Sequence, residues 1–178
     1  GPVDGIDRIY VEDVVGWDSG VARSGDTQTI TVDGRGIVHI HWGTETQNVN
    51  SVLAGLAAAN DNGVTENHPP YRGMFYLVFE GWFQGYQRTQ VVKVEPVAYR
   101  YPSVSGLTSE ADVQGDANVP HCILEILTNP RYGSGLDLDR FNLTSFDDAS
   151  DTLSGECIGI SPIVTRPQSM QQVIKDWL

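Results

Sequence analysis

The sequence predicts an α+β fold, with a β-rich, mostly antiparallel first part and a small helical second part. Two rhythms along the chain carry this expectation. Residues 27–33 alternate, with Ile30 and Val32 on one face and Thr29 and Thr31 on the other, the period of a half-buried strand. After residue 118 the apolar residues recur three and four apart, as in Pro120, Ile123, Leu124 and Leu127, which is the period of a helix. The expected organisation is a β-rich segment with one helix over 3–102, a linker or long loop over 103–118, and a helical segment over 119–178 truncated at its C-terminus.

Taken in order, Asp33-Gly34-Arg35-Gly36 reads as a turn between the first strand and a second at 37–42, a hairpin candidate. Val49, Val52, Leu53 and Leu56 then follow a helical spacing; Asn48 or Asn50 can cap this helix, and 60–63 can stop it, with Gly63 left-handed. Residues 73–83 are apolar on both faces, which predicts a central strand covered on both sides. A further strand is expected over 89–101, where Pro96 implies an edge or a bulge because it has no N–H for a ladder.

Residues 103–118 are rich in Ser, Gly and acid and show little periodicity. Asn118 can cap the next helix, with Pro120 in its first turn, and Asn129-Pro130 ends it. A second helix is expected from about Thr144, with Asp147 as a capping-box-like partner, with Phe146, Ala149, Leu153 and Cys157 on one face, and with Gly159 as its stop. A third begins near Pro167 and carries Met170, Val173, Ile174, Trp177 and Leu178 on one stripe. That stripe runs uncapped to the last residue, and Gly1-Pro2 looks like the scar of a tag-removing protease. A segment of a longer protein is therefore expected.

The chain has 178 residues, of which 40% are hydrophobic, enough for one sizeable core or two small ones. Seven Tyr, five Phe and four Trp exclude a disordered chain. Its apolar runs fall far short of the roughly 18 residues of a membrane span. Lys and Arg number 11 against 23 Asp and Glu, for a net charge of −12. That sign argues against direct binding to nucleic acid or to an anionic membrane. Cys122 and Cys157 are too few for a disulfide framework and are expected as buried free thiols.

The motifs of catalysis are missing from the sequence. It has no G-x-S-x-G elbow and no P-loop, and Gly133-Ser134-Gly135 lacks the third glycine and the βαβ unit of a dinucleotide site. Residues 137–148 place acids at positions one, three and twelve of a calcium loop, but Asn142 stands where the turn needs Gly. His39-x-His41 would share one strand face, yet two ligands do not make a metal site and no third is identifiable. His68 and His121 stand alone and read as structural. Catalytic, cofactor and metal residues are therefore all expected to be none.

Three stretches carry a resemblance. They are Trp42-Gly43-Thr44-Glu45-Thr46-Gln47, then His68-Pro69-Pro70-Tyr71-Arg72-Gly73-Met74-Phe75-Tyr76-Leu77-Val78-Phe79, and then Ile123-Leu124-Glu125-Ile126-Leu127-Thr128-Asn129-Pro130-Arg131-Tyr132-Gly133-Ser134-Gly135. In this order and spacing the chain resembles the tail-tip or baseplate-hub proteins of long-tailed bacteriophages. That family includes the lambda-type tip attachment protein and the hub protein of gene transfer agents.

The resemblance implies a virion structural protein, not an enzyme, that closes the distal end of the tail tube and organises host attachment. It implies a homotrimer in the full protein, with tail-tube, distal-tail and fibre proteins as partners. The implied location is the virion tail, after assembly in the bacterial host cytoplasm. A peptidoglycan-cleaving tail enzyme and a non-viral binding module are the alternatives. The motif residues have structural chemistry. Trp42, Gly43, Pro70, Tyr71 and Gly73 are structural-motif or interface candidates: Pro70 stiffens a strand entry, Tyr71 begins a run to Phe79 that fills a core from both faces, and Gly73 allows a close backbone approach or a bulge. Asn129, Pro130, Arg131, Tyr132, Gly133 and Gly135 are candidates for a helix stop, a tight loop, and a packing or subunit contact.

Overall fold

The structure, a computed structural model, describes residues 2–60, 69–83, 92–162 and 168–178, the side chains of 57–60 excepted. It has the expected α+β composition, antiparallel sheets first and helices later. The chain divides into two compact units, Gly1–Arg100 and Tyr101–Leu178.

The first unit holds two small antiparallel sheets. In one, β1 (Gly5–Val11) pairs with β7 (Val94–Tyr99) along one edge; β2 (Val14–Trp17) and β3 (Val21–Ala22) share the other. The register of β1 against β7 slips between Ile6 and Arg8, so Asp7 is an extra, exposed residue. That bulge lets Ile6 and Ile9, three apart, both point inward and be fully buried. Pro96 faces Ile9 in β7, which among the described residues pairs only with β1, the edge position that proline tolerates.

The second sheet has the order β4-β5-β6, formed by Thr27–Val32, Gly36–Trp42 and Phe75–Glu80. The expected hairpin is present, closed by a bond from Arg35 N–H to Val32 O at 3.0 Å. The strand expected over 73–83 is β6; among the described residues it pairs only with β5, at the edge of this sheet rather than at the expected centre. Its two apolar faces have separate uses. Phe75, Leu77 and Phe79 join the core, while Tyr76 and Val78 lie on the face turned away from it. Ile6, Ile9, Val32, Val38, Ile40 and Trp42 form the core centre, drawing on both sheets. Burying each such side chain contributes about 1.5–3 kcal/mol.

Helix α1 (Ser51–Asn60) follows β5 and is capped by Asn50, whose Oδ1 accepts from Val52 N and Leu53 N. The expected stop at Gly63, the residue His68 and the segment 84–91 lie outside the described residues.

In the second unit the stretch 103–118 is more than a connector. β8 (Asp112–Val113) and β9 (Asp116–Ala117) make a hairpin through Gln114 and Gly115, both at positive φ, and Val104, Val113 and Ala117 are buried. Gln-Gly is a weak turn signal, and strands of two residues have no readable period. Ala117 then exchanges backbone bonds with Ile160. A Cβ on Gly159 would stand 2.5 Å from Asp116 Cβ, so this glycine permits the close approach rather than stopping a helix.

Helix α2 (Val119–Thr128) carries Pro120 in its first turn as expected, but Asn118 makes no cap bond. Its buried Nδ2 donates instead to Glu110 O and Ser150 O, bracing the loop and the next helix. Helix α3 (Leu143–Gly155) starts one residue before Thr144 and is capped by Asn142, not by a Thr144–Asp147 box. Its end is a left-handed Cys157 at φ +58°, with Cys157 N–H bonded to Ser154 O and Ile158 N–H to Leu153 O. Cys157 is accordingly exposed, whereas Cys122 is buried as expected. Helix α4 (Met170–Trp177) is capped by Ser169, buries Val173 and packs on α2; the expected start near Pro167 lies outside the described residues.

Candidate functional site

The first two resembling stretches meet in the first unit, and Gln47 is what joins them. Trp42 ends β5 fully buried in the core, and Gly43 turns the chain at φ +82°. The Gly43 N–H donates to Gln47 Oε1 at 2.9 Å. Gln47 is itself fully buried. Its Nε2 donates to the carbonyls of Pro70 at 2.9 Å, Tyr71 at 2.6 Å and Met74 at 3.1 Å. In return, Gly73 N–H donates to Thr44 O at 3.1 Å, from a φ of +73° that suits glycine. Tyr71 adopts φ +48° without being glycine, a strained conformation held by this clasp.

The same loop is tied at its other side. The hydroxyls of Thr44 and Thr46 both donate to Asp26 Oδ1, at 2.7 and 2.9 Å, and hold the Asp26 carboxyl below its ordinary pKa. The loop from Trp42 to Gln47 is thus an internal joint. Sequence reading placed Gln47 in the motif but assigned it no role; nothing in its neighbours marks it as buried.

The third stretch is a joint of its own in the second unit. Asn129 Oδ1 accepts from Arg131 N at 2.9 Å and Tyr132 N at 3.4 Å, and its Nδ2 donates to Glu125 Oε1 at 3.0 Å. The Tyr132 hydroxyl donates to the same carboxylate oxygen. Gly133 N–H, Ser134 N–H and Leu136 N–H donate to the carbonyls of Asn129, Ile126 and Leu127, which the end of α2 would otherwise leave open. A Cβ on Gly133 would lie 2.2 Å from Ile126 O and 2.7 Å from Asn129 O. Gly135 has the positive φ, +62°. Pro130, Arg131 and Tyr132 are exposed at this corner.

The His39-x-His41 pair lines a polar cleft of about 330 Å³ with Asp26, Thr29, Asn50 and Ser51. The two rings have separate partners. His39 Nε2 meets Glu80 Oε2 at 2.8 Å, and His41 Nε2 meets Asn50 Nδ2 at 2.9 Å. Among the described residues no group of three or more His, Cys, Asp or Glu could hold a metal ion.

Ser109, His121 and Asp147 bring together the residue types of a hydrolytic triad, but their bonds run the wrong way. His121 Nδ1 accepts from Val104 N at 3.4 Å, so the proton is on Nε2, which faces Ser109 Oγ at 3.2 Å. That ring donates to the serine and cannot take its proton. Asp147 binds Thr108 N and Oγ1 and Ser109 N, not the imidazole. These bonds, the Thr108 hydroxyl first, hold its carboxyl far below the ordinary range; burial pushes the His121 imidazole below its ordinary pKa.

No protein-family model matches the sequence, and neither does any curated protein. No helix among the described residues is long and apolar enough to cross a membrane.

Proposed function

We propose that this chain is a structural part of a bacteriophage or phage-like tail tip or baseplate hub, closing the distal end of the tail tube and organising host attachment. In that role it acts as a homotrimer in its full protein and contacts tail-tube, distal-tail and fibre proteins. The observation that carries the reading is the Gln47 clasp. The first two stretches that resemble the hub family are bonded to each other across Gln47, and both polar atoms of its carboxamide are used on main-chain partners. Residues used this way fix a shape, which is what a ring-forming building block requires. The third stretch supports the same reading, because its Asn129 and Gly133 fold a helix end into a rigid corner.

The chain is proposed to have no catalytic activity, and the reversed Ser109–His121 bond supports this. Two measurements test the reading together. Gold-labelled antibody against the chain should decorate the distal end of the tail on intact particles. Incubation with purified peptidoglycan should release no soluble fragments. Label on the capsid or on non-viral structures, or turnover lost in Ser109→Ala or Asp147→Asn, would overturn it.

A further inference from the structure

The contact between β5 and the start of α1 has an unusual constraint. Asn50 Oδ1 accepts from Val52 N at 3.0 Å and Leu53 N at 3.1 Å, as the N-cap of α1. That fixes which end of the carboxamide faces His41: it is Nδ2, at 2.9 Å from Nε2. An amide nitrogen only donates, so His41 Nε2 must be the acceptor and the ring proton sits on Nδ1. The ring is 2% exposed, lies flat on Tyr76 at 4.2 Å between centroids, and its Nδ1 has no partner among the described residues.

We propose that the His41–Asn50 pair is a proton-operated latch that releases the N-cap of α1 when His41 is protonated. A second ring proton would place N–H against N–H. The carboxamide can relieve this only by turning over, which offers Oδ1 to the imidazolium and presents an NH₂ to the backbone donors of Val52 and Leu53. The cap is then lost. Among the described residues no hydrogen bond other than that of Asn50 reaches the ring. On β5 the nearest titratable neighbour is His39, which Glu80 of β6 engages. From β6, Tyr76 stacks on the ring and Tyr71 meets Tyr76 edge-on. Asp26 lines the same cleft but has its Oδ1 on Thr44 and Thr46.

Burial, and after it the charge of His39, lowers the folded pKa of His41 below its ordinary value. The unfolded chain therefore takes up this proton first. Stability from the neutral ring is complete above about pH 6.5 and is lost as pH falls from there through the folded pKa.

The test is NMR on the whole chain. At pH 7.5 the ring ¹⁵N shifts of His41 should report the Nδ1–H tautomer. Between pH 7.5 and 4, protection of the Val52 and Leu53 amides, corrected for intrinsic exchange, should fall at least tenfold. The midpoint should match the His41 titration. Asn50→Asp keeps a good cap and gives the imidazolium an acceptor, so it should raise the His41 pKa and abolish the loss of protection. An Nε2–H tautomer at pH 7.5, protection unchanged down to pH 4, or an Asn50→Asp protein that still loses protection would each overturn the proposal.

Discussion

The carboxamide of Gln47 holds the carbonyl of Tyr71 at 2.6 Å, and Tyr71 is a non-glycine residue at φ +48°. A buried donor thus fixes a strained backbone 24 residues away in the chain. The same Nε2 reaches Pro70 and Met74, so one side chain defines how residues 70–74 turn into β6. The first prediction concerns this clasp. Gln47→Leu keeps the volume but leaves Gly43 N–H and these carbonyls without their partner. It should destabilise the first unit by about 2–4 kcal/mol, given about 1–3 for each buried polar group left unpaired. Urea unfolding followed by tryptophan fluorescence measures it; a loss under about 0.5 kcal/mol would show that the clasp is not needed.

Gly133 and Gly135 should fail for different reasons. At Gly133 the obstacle is space, since a Cβ would strike the Ile126 and Asn129 carbonyls. At Gly135 it is the φ of +62°. Gly133→Ala should therefore cost about 2 kcal/mol or more, as overpacking against rigid backbone does. Gly135→Ala should cost about 1 kcal/mol. Gly55, inside α1 with nothing within 4 Å of its Cβ position, is the control, and Gly55→Ala should stabilise by about 0.5–1 kcal/mol. Thermal unfolding of the three variants gives the order; a harmless Gly133→Ala would contradict the fold of this corner.

Cys157 closes α3 in a conformation that glycine adopts more easily. Cys157→Gly should raise stability by about 0.5–1 kcal/mol, by removing left-handed strain. A lower melting temperature would mean that the Cys157 contact with Gln114 outweighs the strain.

Asp147 should make the second unit acid-sensitive. Its folded carboxyl is held below the ordinary value by Thr108 and Ser109, so the unfolded chain binds this proton at higher pH than the folded one. Stability from these bonds is full above about pH 4, the ordinary carboxylate value, and drains away as pH falls. Asp147→Asn should flatten that part of the pH–stability profile, and Thr108→Val should reduce it. Equal acid sensitivity in wild type and Asp147→Asn would refute the assignment.

Much of the scaffold was legible in the sequence, because burial imprints a period. The β4–β5 hairpin, the three helices after residue 118 and the edge position of Pro96 all follow from spacing and from the missing proline N–H. Legibility ended where the decisive bond is long-range. Asp147 is spaced like a capping-box partner, yet it bonds to Thr108, and Asn118 is placed like a cap, yet it braces Ser150. Polar side chains of this kind have several local uses, and only tertiary packing selects one. β6 read as central because it is apolar on both faces, yet among the described residues it pairs only with β5. Here one face meets the core, and the other carries Tyr76 against His41. The Gly43, Gly73 and Gly133 positions were legible as glycines that matter, but not their partners, which are Gln47, Thr44 and Asn129 in turn.

The most direct test of the hub reading is a symmetry-expanded electron cryomicroscopy map of the tail's distal end. Three copies of the chain around the tube axis are expected, with density for Gln47 bridging to residues 70–74. A resolved distal end that contains no density fitting either unit of this chain would contradict the account.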